Sequence, residues 1–139
     1  MFALLVVLAL AGCGSSDSKV VGEWVGTFVQ DDGKKLPGAN LTVDKDHHWR
    51  ELYGNREFSG TWRLSDKTLT LSMEKFGQLT VAEAKAKMLA VIAKNPKLAA
   101  NKAVVENMDK PVPLILSEDG KTLSKRDEPL HATAVFAKQ

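Results

Sequence analysis

Gly22-Glu23-Trp24-Val25-Gly26-Thr27-Phe28 and, 38 residues further on, Gly60-Thr61-Trp62-Arg63-Leu64 decide how this chain folds. Each sets a tryptophan two residues after a glycine and continues with a period of two, the spacing of a pleated strand. In the first stretch Trp24, Gly26 and Phe28 share one face while Val25, Thr27 and Val29 share the other, so both faces are at least partly covered. Working outward, Leu41 and Val43 alternate with polar neighbours, then Trp49, Glu51 and Tyr53 share a face. Phe58, Gly60, Trp62 and Leu64 follow, and Leu69, Leu71 and Met73 after them. Turn chemistry fills the intervals: Asp32-Gly33, Pro37-Gly38, residues 44–46, Gly54-Asn55 and residues 65–67. Short strands joined by short polar turns read as an antiparallel meander.

At Thr80 the period changes. Thr80-Val81-Ala82-Glu83 is a capping box, in which hydroxyl and carboxylate each satisfy a backbone N–H at a helix start. Val81, Ala84, Met88, Leu89, Val91 and Ile92 behind it recur at helical spacing. Asn95-Pro96 pairs an N-cap with proline at the first helical position, which predicts a second helix with Leu98, Val104, Val105 and Met108 as its apolar stripe. Pro111 and Pro113 end the helical region, and strand character returns at 112–116, 121–125 and 130–137, with Glu118-Asp119-Gly120 as a turn. The expectation is a mainly β chain of about eight strands, an up-and-down meander with a two-helix insert (residues 80–109) between strands five and six. Eight short antiparallel strands close most simply into a small barrel, which removes exposed edges. A strongly curved open sheet packed on the helices is the alternative.

Composition fits a soluble domain over most of the chain. Of 139 residues, 44% are apolar and 26% charged, with a net charge of +2. No concentrated basic stripe of the kind nucleic acid requires is visible, so no nucleic-acid partner is expected. The apolar residues crowd at the start, where residues 2–11 form an uncharged run. At 1.5 Å per residue this run reaches about 15 Å, half of a ~30 Å hydrocarbon core, which suits a secretory signal and not a span. Only Met1 precedes it, so the basic n-region of such a signal is expected upstream. Residues 14–19 are small and polar, the composition of a flexible tether.

Two resemblances follow from these residues. Leu10-Ala11-Gly12-Cys13 resembles the lipobox of bacterial lipoprotein signal peptides. That resemblance implies a signal peptide over residues 1–12, lipidation of Cys13 and cleavage before it, with residues 13–19 as lipidated N-terminus and tether. Two or three acyl chains on one residue supply the multiple signals that stable anchoring needs. Cys13 is the sole cysteine, so no intramolecular disulfide competes for it. Gly14 in place of Asp after the cysteine favours, in the enterobacterial sorting pattern, the periplasmic side of the outer membrane. The order Gly-x-Trp, Leu-Thr-Val with an acidic turn and an aromatic (41–49), Ser-Gly-Thr-Trp and Leu-Thr-Leu (59–71) is similar to the small lipocalin-like domains of bacterial lipoproteins. It implies a barrel over residues 20–139, with Trp24 closing its bottom and Trp62 as an internal echo. The Thr-Asp-Tyr motif of the outer lipocalins is missing, and the helical insert falls after the fifth strand where that family carries its helix after the eighth.

Site chemistry is sparse. No Gly-x-Ser-x-Gly, phosphate loop or free thiol nucleophile remains, so no catalytic residue and no enzyme are expected, and no cofactor or metal. His47 and His48, adjacent on an expected strand, would face opposite sides and cannot easily share an ion. A set built from either of them with Asp46, Glu51 and His131 is the conceivable alternative. The ligand-lining candidates are Trp24, Phe28, Trp49, Tyr53, Phe58 and Trp62, residues that an ordinary core would use equally well. Glu51, between Trp49 and Tyr53, needs a cation such as Arg63 if it points inward, or it protonates. The leading expectation is a non-enzymatic, lipid-anchored envelope protein binding a small apolar ligand. The competing one is an interaction protein that contacts an envelope protein through the insert or through a loop at residues 31–39. The segment 80–110 carries six lysines against three acids, a net of +3, which would either add attraction to an anionic membrane or simply solvate the helices.

Overall fold

The computed structural model describes residues 16–128 and 130–139. Its strands are β1 (Gly22–Gln30), β2 (Lys35–Val43), β3 (His48–Tyr53), β4 (Arg56–Ser65), β5 (Thr68–Phe76), β6 (Leu79–Thr80), β7 (Val112–Leu116), β8 (Thr122–Asp127) and β9 (Ala132–Lys138). All pairs are antiparallel and, β6 apart, each strand joins its neighbours in sequence. β9 pairs with β1 from Trp24↔Lys138 to Gln30↔Ala132, and this seam closes an eight-stranded barrel. An open curved sheet is thereby ruled out. β6 pairs only with the end of β5, so it stands outside the cylinder.

Closure depends on two places where backbones approach too closely for a side chain. β1 and β2 slip register between Val25 and Thr27, where a Cβ on Gly26 would lie 2.2 Å from the Ala39 carbonyl oxygen. On Gly38 it would lie 2.8 Å from the Gly26 carbonyl carbon. Bulges of this kind bend and twist a strand into a cylinder. Pro37-Gly38, expected as a turn, thus lies inside β2, and the first loop shrinks from residues 31–39 to residues 31–34. A matching slip between β4 and β5 sits at Gly60, whose Cβ would overlap the Ser72 carbonyl oxygen.

The helical insert leaves the barrel after β5 and β6 and returns at β7. α1 (Val81–Lys94) starts on the expected capping box: Glu83 N–H donates to Thr80 Oγ1 at 3.2 Å and Thr80 N–H to Glu83 Oε2 at 2.9 Å. The Thr80 N–H and the Thr80 hydroxyl, both donating to the carboxylate, hold the Glu83 carboxyl below its usual range. The expected second helix differs. Asn95 does cap, accepting from Lys97 N–H at 3.2 Å, but residues Pro96–Asn101 wind as a 3₁₀ turn before α2 (Lys102–Glu106). Its narrow stripe finds little to pack against: α1 buries only Ala84, and the 3₁₀ turn and α2 bury nothing.

One end of the barrel is plugged by the chain that enters it. Of the stretch read as flexible tether, Ser16–Lys19 forms a 3₁₀ turn, and Val20 after it is wholly buried. The Trp24 indole N–H donates to the Val20 carbonyl at 2.9 Å, and Lys138 Nζ donates to the Lys19 carbonyl at 2.8 Å while lying 5.4 Å from the Trp24 ring centre. Trp62 donates its indole N–H to the Asp44 carbonyl at 3.0 Å. His47 stacks on Trp62 with ring centres 4.4 Å apart, and its Nε2 reaches Asp17 Oδ2 at 3.3 Å. His47 is therefore not on a strand facing away from His48: it occupies the β2–β3 turn with φ +64°, held there by Asp44 Oδ1, which accepts from Asp46 N–H and His48 N–H at 2.9 Å each. Buried large residues at this end leave no polar atom unsatisfied: each indole that would lose water gains a carbonyl.

Candidate functional site

The opposite end, the mouth, is where the β1–β2, β3–β4 and β8–β9 turns lie and where the insert leaves and returns. Behind it, inside the barrel, is a chamber of about 200 Å³. Alternation determines its walls. From β1 comes Phe28, from β3 Trp49 and Glu51, from β4 Phe58, from β5 Leu71 and Met73, from β8 Lys125 and Asp127, and from β9 Ala134 and Phe136. The void exists because small side chains, Ala39 and Ala134, occupy inward positions here, where the closed end has tryptophans. An eight-stranded barrel is only just wide enough to be filled by large side chains, so alanines leave it hollow.

Against the expected lining set, the structure brings together three of the six residues. Phe28, Trp49 and Phe58 face the chamber, Phe58 meeting Phe76 edge-to-face with ring centres 4.8 Å apart. Trp24 and Trp62 belong to the closed end instead, and Tyr53 is 48% exposed at the end of β3. They are not walls of this space. Trp49 is buried, and its indole N–H donates to the Ser72 carbonyl at 3.2 Å, which leaves the apolar ring as wall. Cys13 lies outside the described residues.

Glu51 is the distinctive polar group. It faces inward, largely buried, and burial raises its carboxyl above the usual range, partly opposed by the charge of Lys125. The facing cation is thus Lys125 and not Arg63, which is exposed on the outer face of β4. Asp127, two residues beyond Lys125 on the same face, accepts from Leu130 N–H at 3.2 Å. Sequence reading missed Lys125 and Asp127, although Leu123, Lys125 and Asp127 alternate as one face; nothing local marked that face as inward for charged residues. Outside the chamber, Arg126 forks onto Asp31 and also meets Glu128, tying the β1–β2 turn to the β8–β9 turn at the rim. That pairing lowers the Asp31 carboxyl and raises the guanidinium.

The histidines do not gather. His47 is at the closed end and His131, with φ +47°, at the mouth, its carbonyl accepting from Asp31 N–H at 3.0 Å. Among the described residues no three His, Cys, Asp or Glu side chains converge as a metal site would require. A second concavity, a shallow groove of about 430 Å³, runs along the insert between Met88, Val91, Ile92, Leu98 and Val105, with Lys87 and Arg56 at its rim.

The strand pairings make this a small up-and-down β-barrel of eight strands, with a largely apolar chamber that opens at one end. No family model and no curated protein matches the chain. Three solved structures are similar to it. A lipocalin-like protein from Bacteroides uniformis shares 11% identity with a TM-score of 0.47, over 87% of this chain and 99% of that one. An uncharacterised protein from Bacteroides eggerthii shares 16% with a TM-score of 0.47, over 86% and 98%. A Burkholderia xenovorans protein, solved by NMR, shares 15% with a TM-score of 0.45, over 85% and 81%.

Proposed function

We propose that this chain is a non-enzymatic, lipid-anchored envelope protein whose barrel holds one small, mostly apolar molecule. The observation that carries the binding role is the chamber itself. Its 200 Å³ is below the ~300 Å³ at which drug-sized pockets begin, yet apolar cavities of about 150 Å³ admit benzene. A single ring with a short substituent is therefore the right size, and a steroid or a full acyl chain is not. The anchor rests on the lipobox reading of Cys13. With Cys13 acylated, the three residue steps from it to Ser16 can span at most about 10 Å. The closed end then turns toward the bilayer and the mouth toward the aqueous side.

Binding is tested by titrating 2-phenylethanol into the domain and following Trp49 fluorescence, with Trp49→Phe as the control. Saturable quenching lost in the variant is expected; no saturable response to 2-phenylethanol or to charged probes with the same phenyl body would sink the binding role. The anchor is tested separately by feeding a labelled palmitate to expressing cells, where wild type but not Cys13→Ala should carry label.

A second reading has one observation in its favour. Val91 and Val104 are 56% and 63% exposed on helices that bury almost nothing, beside the groove with its basic rim. An acidic envelope protein would suit this face. Native mass spectrometry from the host should then show a defined complex that Val91→Glu abolishes.

A further inference from the structure

Inside the chamber two opposite charges face one another without meeting. Glu51 enters from β3 and Lys125 from β8, both on inward positions. They are near enough for the charge of Lys125 to be felt at Glu51, yet not within ion-pair distance. Among the described residues, neither the carboxylate nor the ammonium makes a hydrogen bond. No buried side-chain polar atom among the described residues lacks a partner, so both groups keep contact with water through the chamber, where an occupant's charges would take the water's place.

We propose that the chamber takes a small zwitterion with an apolar body, its ammonium on Glu51, its anionic end on Lys125 and its body among Phe28, Trp49 and Phe58. This rests on the reading of the chamber as a ligand site. Coulombic signs select the class. A simple amine would gain Glu51 but be repelled by Lys125, and a simple acid would meet the reverse. A zwitterion satisfies both and brings no net charge into a low-dielectric space. Asp127 stands further along the face of Lys125 and adds negative charge nearer the mouth. The aromatic walls favour an ammonium further, through their ring faces. With about 200 Å³ available, an aromatic α-amino acid is near the upper limit of size.

Four probes with one phenyl body separate the possibilities: L-phenylalanine carries both charges, 2-phenylethylamine the cation, 3-phenylpropionate the anion and 2-phenylethanol neither. Each is titrated into the full chain by calorimetry at neutral pH, then into Glu51→Gln and Lys125→Met after their melting has been checked. L-Phenylalanine should bind at least about tenfold tighter than either singly charged probe, a difference of about 1.4 kcal/mol. Glu51→Gln should reduce it to the level of 3-phenylpropionate, and Lys125→Met to that of 2-phenylethylamine. Should 2-phenylethylamine or 3-phenylpropionate match L-phenylalanine, one of the two charges reads nothing and the proposal is overturned. Equal binding by all four overturns it too while leaving the chamber as a ligand site. No binding by any of the four removes the ligand site itself. The wild-type series decides the matter even where a variant fails to fold.

Discussion

The two ends of the barrel use one alternation for opposite purposes. At the closed end inward positions hold Trp24, Trp62, Leu69 and Leu123, and the entering chain adds Val20 beneath them. Every indole there has a carbonyl partner, and the space is filled. Toward the mouth the inward positions hold Ala39, Ala134, Glu51 and Lys125, and a void remains. Strand geometry is the same in both halves; side-chain volume and charge differ. A narrow barrel is thus a scaffold whose stability and binding space can be assigned to different levels along its axis.

Substitutions at the two levels should separate these roles. The largest effect is expected from Trp24→Ala, which empties the closed end and orphans the Val20 carbonyl: about 3–5 kcal/mol lost in urea denaturation. A variant that unfolds at nearly the wild-type midpoint would mean the plug is not what holds the barrel. Leu123→Ala, at a fully buried position, should cost about 2–5 kcal/mol, whereas Met73→Ala beside an existing void should cost near 1 kcal/mol. Equal losses at the two sites would erase the distinction between a filled level and a hollow one.

Removing the capping box by Thr80→Ala should cost about 1 kcal/mol, read as faster amide exchange confined to α1 with the closed end unaffected. Exchange that also accelerates in β1 and β9 would show that the insert is not an appendage. The smallest effect is set by pH. The folded state raises the Glu51 carboxyl, so it binds a proton that the unfolded chain has already released. Stability from this group is present at low pH and is lost as pH rises through and above the ordinary carboxylate range. Glu51→Gln should therefore be more stable than wild type at pH 7 and no more stable near pH 3, by urea unfolding at both. A gap that widens on acidification would reverse the sign and place Glu51 in a favourable ion pair.

Much of this was legible locally. The Trp24 and Trp62 strands, the turns at Gly54-Asn55 and Glu118-Asp119-Gly120, and the capping box at Thr80 each rest on neighbours within a few residues. Pro37-Gly38 misled because its composition is that of a turn, while its use is a bulge that requires Gly26 on the adjoining strand. His47 misled because strand alternation was carried one residue too far, into a turn stabilised by Asp44. Tyr53 shares a face with Trp49 but leaves the barrel before it can line anything.

By itself, the sequence determined strand order, the place of the helical insert, which residues share a strand face and the expectation of an anchor at Cys13. Those follow from the pleat, from caps and from a short motif, all local in the chain. Only the tertiary structure decided that three of six aromatics surround a void and three do not, and that Glu51 faces Lys125, 74 residues away. Which inward residues share a level depends on register and shear summed around the closed barrel, and one slip at a glycine bulge moves every later strand along the axis.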